Sequence, residues 1–146
     1  MATQRRAKAV WEHDLLHGSG HVQGESGALP SVPVSWSSRT ELAQGRTSPE
    51  ELLAAAHASC FSMALASGLT KQQHPPERLD VTATATFEKV GESWTVTTMD
   101  LEVVGKVPGI TADAFAQAAK AASEGCPISR ALKGNVAIRV VTAHTA

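Results

Sequence analysis

At 146 residues, with 42% hydrophobic and 18% charged side chains, the chain is long enough to bury about two thirds of its unfolded surface and too apolar to be a disordered polymer. Thirteen lysines and arginines against fourteen acids leave a formal charge of −1, which excludes the concentrated positive field that nucleic acid or an anionic membrane surface requires. Cys60 and Cys126 stand far apart without C-x-x-C spacing, which argues against zinc and against a thioredoxin-type motif. No apolar run follows Arg5, Arg6 and Lys8, so no secretory leader is expected and the chain reads as cytoplasmic, with both thiols reduced.

Residues 7–13, Ala-Lys-Ala-Val-Trp-Glu-His, predict a strand, and Gly18, Gly20, Gly24 and Gly27 punctuate a hairpin that returns through His21-Val22-Gln23. The glycine spacing superficially suits a dinucleotide loop, but no helix pattern follows it. Pro30 and Pro33 bracket a third short segment over 34–39, and a polar loop over 40–47 leads into a helix. His13, His17 and His21 lie close together, yet no carboxylate or cysteine completes a recognisable ligand set, so no metal is expected there.

The stretch 48–65 organises the rest. Ser48 suits the N-cap, Pro49 the first helical position, and Glu51 is spaced to reach back and close a capping box. From Leu52 to Leu65 no charged face remains, so this helix is expected to be covered on most sides. The apolar run from Leu52 to Leu69 approaches membrane-spanning length, but its alanines, serines and His57 favour a buried core helix.

A tract ending His74-Pro75-Pro76 then interrupts any helix. Leu79, Val81, Ala83, Ala85 and Phe87 alternate with polar residues, which predicts a half-buried strand. A turn at 89–93 leads to a second strand over 94–104, whose apolar parity shifts between Val96 and Met99 and so predicts a bulge. Thr111 is a plausible N-cap for a helix buried through Phe115, Ala118, Ala119 and Ala122. Cys126 caps a short third helix with Pro127 at its first position, and Val136, Ile138 and Val140 mark a last strand. With no internal repeat, residues 1–146 read as a single domain.

The chemistry points to the cysteines. Cys126 gains thiolate character from its place at a helix start, whereas Cys60 sits about three turns inside its helix and needs an imported cation. Arg39 and Arg46 are the arginines nearest that helix in sequence, and Glu50 is the carboxylate freer to orient one of them, since Glu51 serves the cap. Inert packing is the plain alternative for Cys60, because free cysteine is among the most buried residue types. His57, one turn before Cys60, invites the role of a base, though a polar group satisfied by a backbone partner or a subunit contact is the preferred reading.

Pro49-Glu50-Glu51-Leu52, then Ala55-Ala56-His57-Ala58-Ser59-Cys60-Phe61-Ser62-Met63-Ala64-Leu65, and later Gly125-Cys126-Pro127-Ile128-Ser129, together resemble the OsmC/Ohr family of thiol-dependent hydroperoxide reductases. The likeness is closest to its OsmC branch, which Trp11-Glu12, Glu25-Ser26-Gly27, Arg39 and Val107-Pro108-Gly109-Ile110 also match, so it runs from about residue 7 to 142. Ser48 departs from the Asn commonest before this proline and keeps the cap. The resemblance implies an α+β fold with antiparallel sheets packed around a long central helix, assembled as an intertwined homodimer.

It further implies that Cys60 attacks the peroxide and becomes a sulfenic acid, and that Cys126 resolves this into a disulfide. Arg39 would stabilise the thiolate and the peroxide oxygens, within one subunit or across the dimer, and Glu50 would hold the arginine. On the order of the two cysteines, the resemblance overrules the reading from helix positions. The implied enzyme is a peroxidase without cofactor, recycled by an external dithiol or lipoyl-type reductant. An apolar pocket around Phe61 and Met63 would favour organic hydroperoxides over hydrogen peroxide. The alternative is a non-enzymatic redox sensor or small-ligand binder on the same scaffold.

Overall fold

The computed structural model describes all residues, Met1–Ala146, which fall into two compact units, Met1–Leu52 and Leu53–Ala146, with the boundary inside a helix. In the first unit, β1 (Ala7–Glu12) and β2 (Ser19–Gly24) form the expected antiparallel hairpin, and β3 (Val32–Val34) adds to β2. Gly20 has to be glycine, since a Cβ there would meet the Val10 carbonyl across the hairpin and the Trp11 ring.

The segment expected over 34–39 is divided. The strand ends at Val34, and Ser37–Thr40 closes as one helical turn, α1. Serines decide this locally: the Ser38 backbone N–H donates to Ser35 Oγ at 3.1 Å, and Ser38 Oγ is 2.8 Å from the Ser35 carbonyl and 2.7 Å from that of Thr47. The Thr47 N–H donates to the Pro33 carbonyl at 2.9 Å, which closes the loop between.

The long helix, α2, runs Pro49–Lys71. Ser48 caps it, its Oγ accepting from the Glu51 N–H at 3.1 Å, but the capping box is only half formed. Glu51 accepts instead from the Thr47 hydroxyl at 2.6 Å. In the second unit His57, Phe61, Leu65 and Leu69 are buried at four-residue spacing, whereas Ala55, Ala56, Ser59, Met63 and Ser67 are exposed. The expectation that this helix is covered on most sides therefore fails for a single chain. By length and composition alone it would also suit a membrane span.

The second sheet joins β4 (Arg78–Val90), β5 (Ser93–Lys106) and β6 (Ala137–Thr145) in that order. The register slips between Thr86 and Phe87, which pair with Thr98 and Val96, so Thr97 is the extra residue of the predicted bulge. The sheet is mixed rather than antiparallel. β4 and β5 are a hairpin, but β6 runs parallel to β5 because the connection passes through α3 (Ala112–Gly125) and α4 (Pro127–Leu132).

Thr111 Oγ1 caps α3 by accepting from the Ala114 N–H at 3.1 Å. The core lies between this sheet, α3 and the buried face of α2: Met99, Leu101 and Val103 meet Phe115, Ala119, Phe61 and Leu65. Each fully buried side chain of that size contributes about 1.5–3 kcal/mol. The Phe115 ring lies against Gly105 and leaves no room for a Cβ.

Candidate active site

In the first unit, α1 carries Arg39 and the first turn of α2 carries Glu50. Arg39 Nε donates to both carboxylate oxygens at 3.2 Å, and Nη2 donates to Oε1 at 2.7 Å, the fork that fixes a guanidinium plane. Glu50 is 9% exposed at its side chain and Arg39 29%, so the carboxylate is the buried anchor and the arginine its reach toward solvent. The Trp36 ring lies 5.4 Å from the guanidinium carbon and holds its other face.

Beside Arg39 opens a cavity of about 290 Å³, walled by Trp11, Leu15, Val34, Ser35, Trp36 and Pro49. It is apolar apart from a serine and the guanidinium, which suits a ligand with a hydrocarbon body and a polar end. The apolar pocket expected around Phe61 and Met63 is not built from those residues. Phe61 is wholly buried in the core, and Met63 is 68% exposed on the bare face of α2.

In the second unit the structure brings the two cysteines together. Cys60, on α2, is partly exposed, while Cys126, at the N-cap of α4, is fully buried, and both are free thiols. Burial raises the Cys60 pKa, and the hydrogen bond to Cys126 raises it further, against a smaller opposing pull from the Ile128 N–H. For Cys126, burial also pushes upward, but the Cys60 thiol together with the N–H and hydroxyl of Ser129 and the N–H of Ile128 outweighs it. These groups polarise the sulfur without closing a full side-chain cap at α4. Cys126 is thus the more acidic of the two sulfurs, as its position at the start of α4 suggests.

The sequence predicts a backbone partner or a subunit contact for His57, and the structure gives it a side-chain partner instead. His57 is fully buried, and its Nε2 lies 2.7 Å from Ser129 Oγ, neither a backbone nor a subunit partner. Its Nδ1 is buried with no partner, and burial alone lowers the His57 pKa. In the sequence Ser129 stands out only as the last residue of the Gly125–Ser129 motif. The signal that singles it out is its place three residues after the N-cap cysteine, where a side chain turns back toward the cap. No three His, Cys, Asp or Glu side chains converge to hold a metal ion.

The model of the OsmC-like protein family matches residues 42–141. The chain is 38% identical over 138 residues to the peroxiredoxin OsmC of Escherichia coli K12, across 94% of this chain and 96% of that one. It is 28% identical over 130 residues to the organic hydroperoxide resistance protein OhrB of Bacillus subtilis, covering 84% and 88% of the two chains. The fold is that of the crystal structure of an organic hydroperoxide resistance protein OsmC from Legionella pneumophila, with TM-score 0.75 and 22% identity over 98% of both chains. The crystal structure of the Bacillus subtilis OhrB follows at TM-score 0.71 and 22% identity, over 94% of this chain and 98% of that one. The ion pair in one unit, the thiol pair in the other and these likenesses converge on one statement: the chain belongs to the OsmC-like family.

Proposed function

We propose that the protein is a thiol-dependent peroxidase that reduces organic hydroperoxides, and hydrogen peroxide less efficiently, through Cys60 and Cys126. The single observation that carries this reading is that the two thiols, which come from different helices, are near enough for each to shift the other's ionisation. Relatives named peroxiredoxin and organic hydroperoxide resistance protein support it.

In the proposed cycle, the Cys60 thiolate attacks the distal peroxide oxygen. The O–O bond breaks, the alkoxide leaves and takes up a proton as the alcohol, and Cys60 is left as a sulfenic acid. Cys126 then attacks the Cys60 sulfur, forming the S–S bond and expelling hydroxide, which leaves as water. An external dithiol, with a lipoyl-type group as a natural form, returns both cysteines to thiols, and no bound cofactor takes part.

Burial works against the first step, because it keeps Cys60 protonated. Each pKa unit of lowering needs about 1.4 kcal/mol of preference for the anion. In this reading Arg39 supplies that preference and also stabilises the departing alkoxide, while Glu50 keeps the guanidinium in one orientation. The cavity beside Arg39, with its two tryptophans, supports an organic substrate.

The working form is proposed to be a cytoplasmic homodimer, in which a second copy covers the bare face of α2. Replacing Met63, at the centre of that face, with Glu is expected to turn a sedimenting dimer into monomer; a native chain that sediments as a compact monomer would remove this part of the proposal. The enzymatic reading is tested by counting peroxide consumed per subunit in excess dithiothreitol. Many equivalents are expected. One equivalent followed by arrest would make the cysteine pair a redox sensor instead.

A further inference from the structure

The proposed cycle leaves a buried group unused. His57 reaches across from α2 to α4 and bonds Ser129 at 2.7 Å, with nothing on its other nitrogen. The tautomer follows from what burial tolerates. Were the proton on Nδ1, a buried N–H donor would stand without a partner, which is the rarer and costlier fault. With the proton on Nε2, the orphan is only an acceptor, and Nε2 donates to Ser129 Oγ. The Ser129 hydroxyl, having accepted, is left to donate its own proton, and the sulfur of Cys126 is the acceptor it faces.

We propose that His57 and Ser129 are positioning residues for disulfide closure: the imidazole fixes the serine hydroxyl so that its proton faces Cys126 Sγ and holds that sulfur as the attacking thiolate. The role belongs to the second step for a specific reason. In the resting pair Cys126 also receives a hydrogen bond from the Cys60 thiol. Once Cys60 is oxidised, its S–H is gone, and the donors that remain are the Ser129 hydroxyl and the N–H groups of Ile128 and Ser129. The hydroxyl is thus most needed when Cys126 must attack. The step balances as Cys126 thiolate plus Cys60 sulfenic acid giving the disulfide and hydroxide. The groups that pull Cys126 toward the thiolate are uncharged donors, and the relay is a neutral one.

The inference rests on the peroxidase reading, and the test separates the two. After rapid mixing of reduced protein with cumene hydroperoxide, Ser129→Ala is expected to form the Cys60 sulfenic acid no more slowly than the native chain and to close the disulfide about tenfold more slowly. Sulfenic acid trapped by dimedone should rise accordingly. Ser129→Thr, which keeps the hydroxyl, and His57→Gln, which keeps a donor at the Nε2 position, should restore most of the closure rate, whereas His57→Leu should not. A second readout needs no peroxide: in the Cys60→Ser background, ultraviolet titration of the Cys126 thiolate should move up by about one pH unit on Ser129→Ala. If the native chain never oxidises, the peroxidase reading fails and the titration alone judges the relay. Unchanged closure in a folded Ser129→Ala protein, or an unmoved titration, overturns it.

Discussion

The ion pair of the first unit and the thiol pair of the second solve opposite electrostatic problems. Arg39 and Glu50 are charged, joined by three short donor contacts, and open on the arginine side to an apolar cavity. The ionisation of Cys60 and Cys126 is governed chiefly by burial, by hydrogen bonds from uncharged groups and by the influence of each sulfur on the other. A fixed charge positions itself by a counter-charge and remains ready for a polar ligand; a buried nucleophile is kept quiet by desolvation until something tips it. Where both are needed, the chain keeps them on separate supports.

Breaking the thiol pair should have the largest effect. Cys60→Ser is expected to reduce peroxide turnover with dithiothreitol to the uncatalysed background, and unaffected turnover would remove the proposed nucleophile. Breaking the ion pair should come next. Arg39→Lys keeps a positive charge but loses the planar fork, and about a hundredfold loss in kcat/KM for cumene hydroperoxide is expected, with little change in melting temperature. Glu50→Gln leaves hydrogen-bonding oxygen in place and removes the anchor's charge, so about a tenfold loss is expected.

The smallest effect tests the second unit alone. His57 is held neutral by burial, below its ordinary value of 6.5. The unfolded chain therefore binds the proton more readily, and stability is full above about pH 6.5 and falls as pH drops through the lower folded value. His57→Gln should flatten that acid slope in thermal melts, whereas an unchanged slope would place the titration elsewhere.

Local chemistry was legible in the sequence, and long-range chemistry much less so. Ser48, Pro49 and Thr111 announce their helices because a cap is decided within three residues, and the shift of parity between Val96 and Met99 marks the bulge that Thr97 fills. The third short segment expected over 34–39 divides after Val34, because hydrogen bonds among Ser35, Ser38 and Thr47 close the following residues into a helical turn. The parallel setting of β6 follows from the crossover through α3 and α4, not from its own alternation. At the site, the residues alone left Arg39 and Arg46 open as partners of Glu50, and only the family resemblance named Arg39, which three contacts join to Glu50. The partner of His57 lay out of reach, because Ser129 is 72 positions away and no periodicity connects them.

The central claim is that the two sulfurs act as one redox pair. Peptide mapping by mass spectrometry after a single equivalent of cumene hydroperoxide measures it directly. The predicted result is a Cys60–Cys126 cross-link within one chain, reversed by dithiothreitol. Two independently alkylatable thiols after the peroxide has been consumed, or a link between chains through only one of these cysteines, would contradict the account.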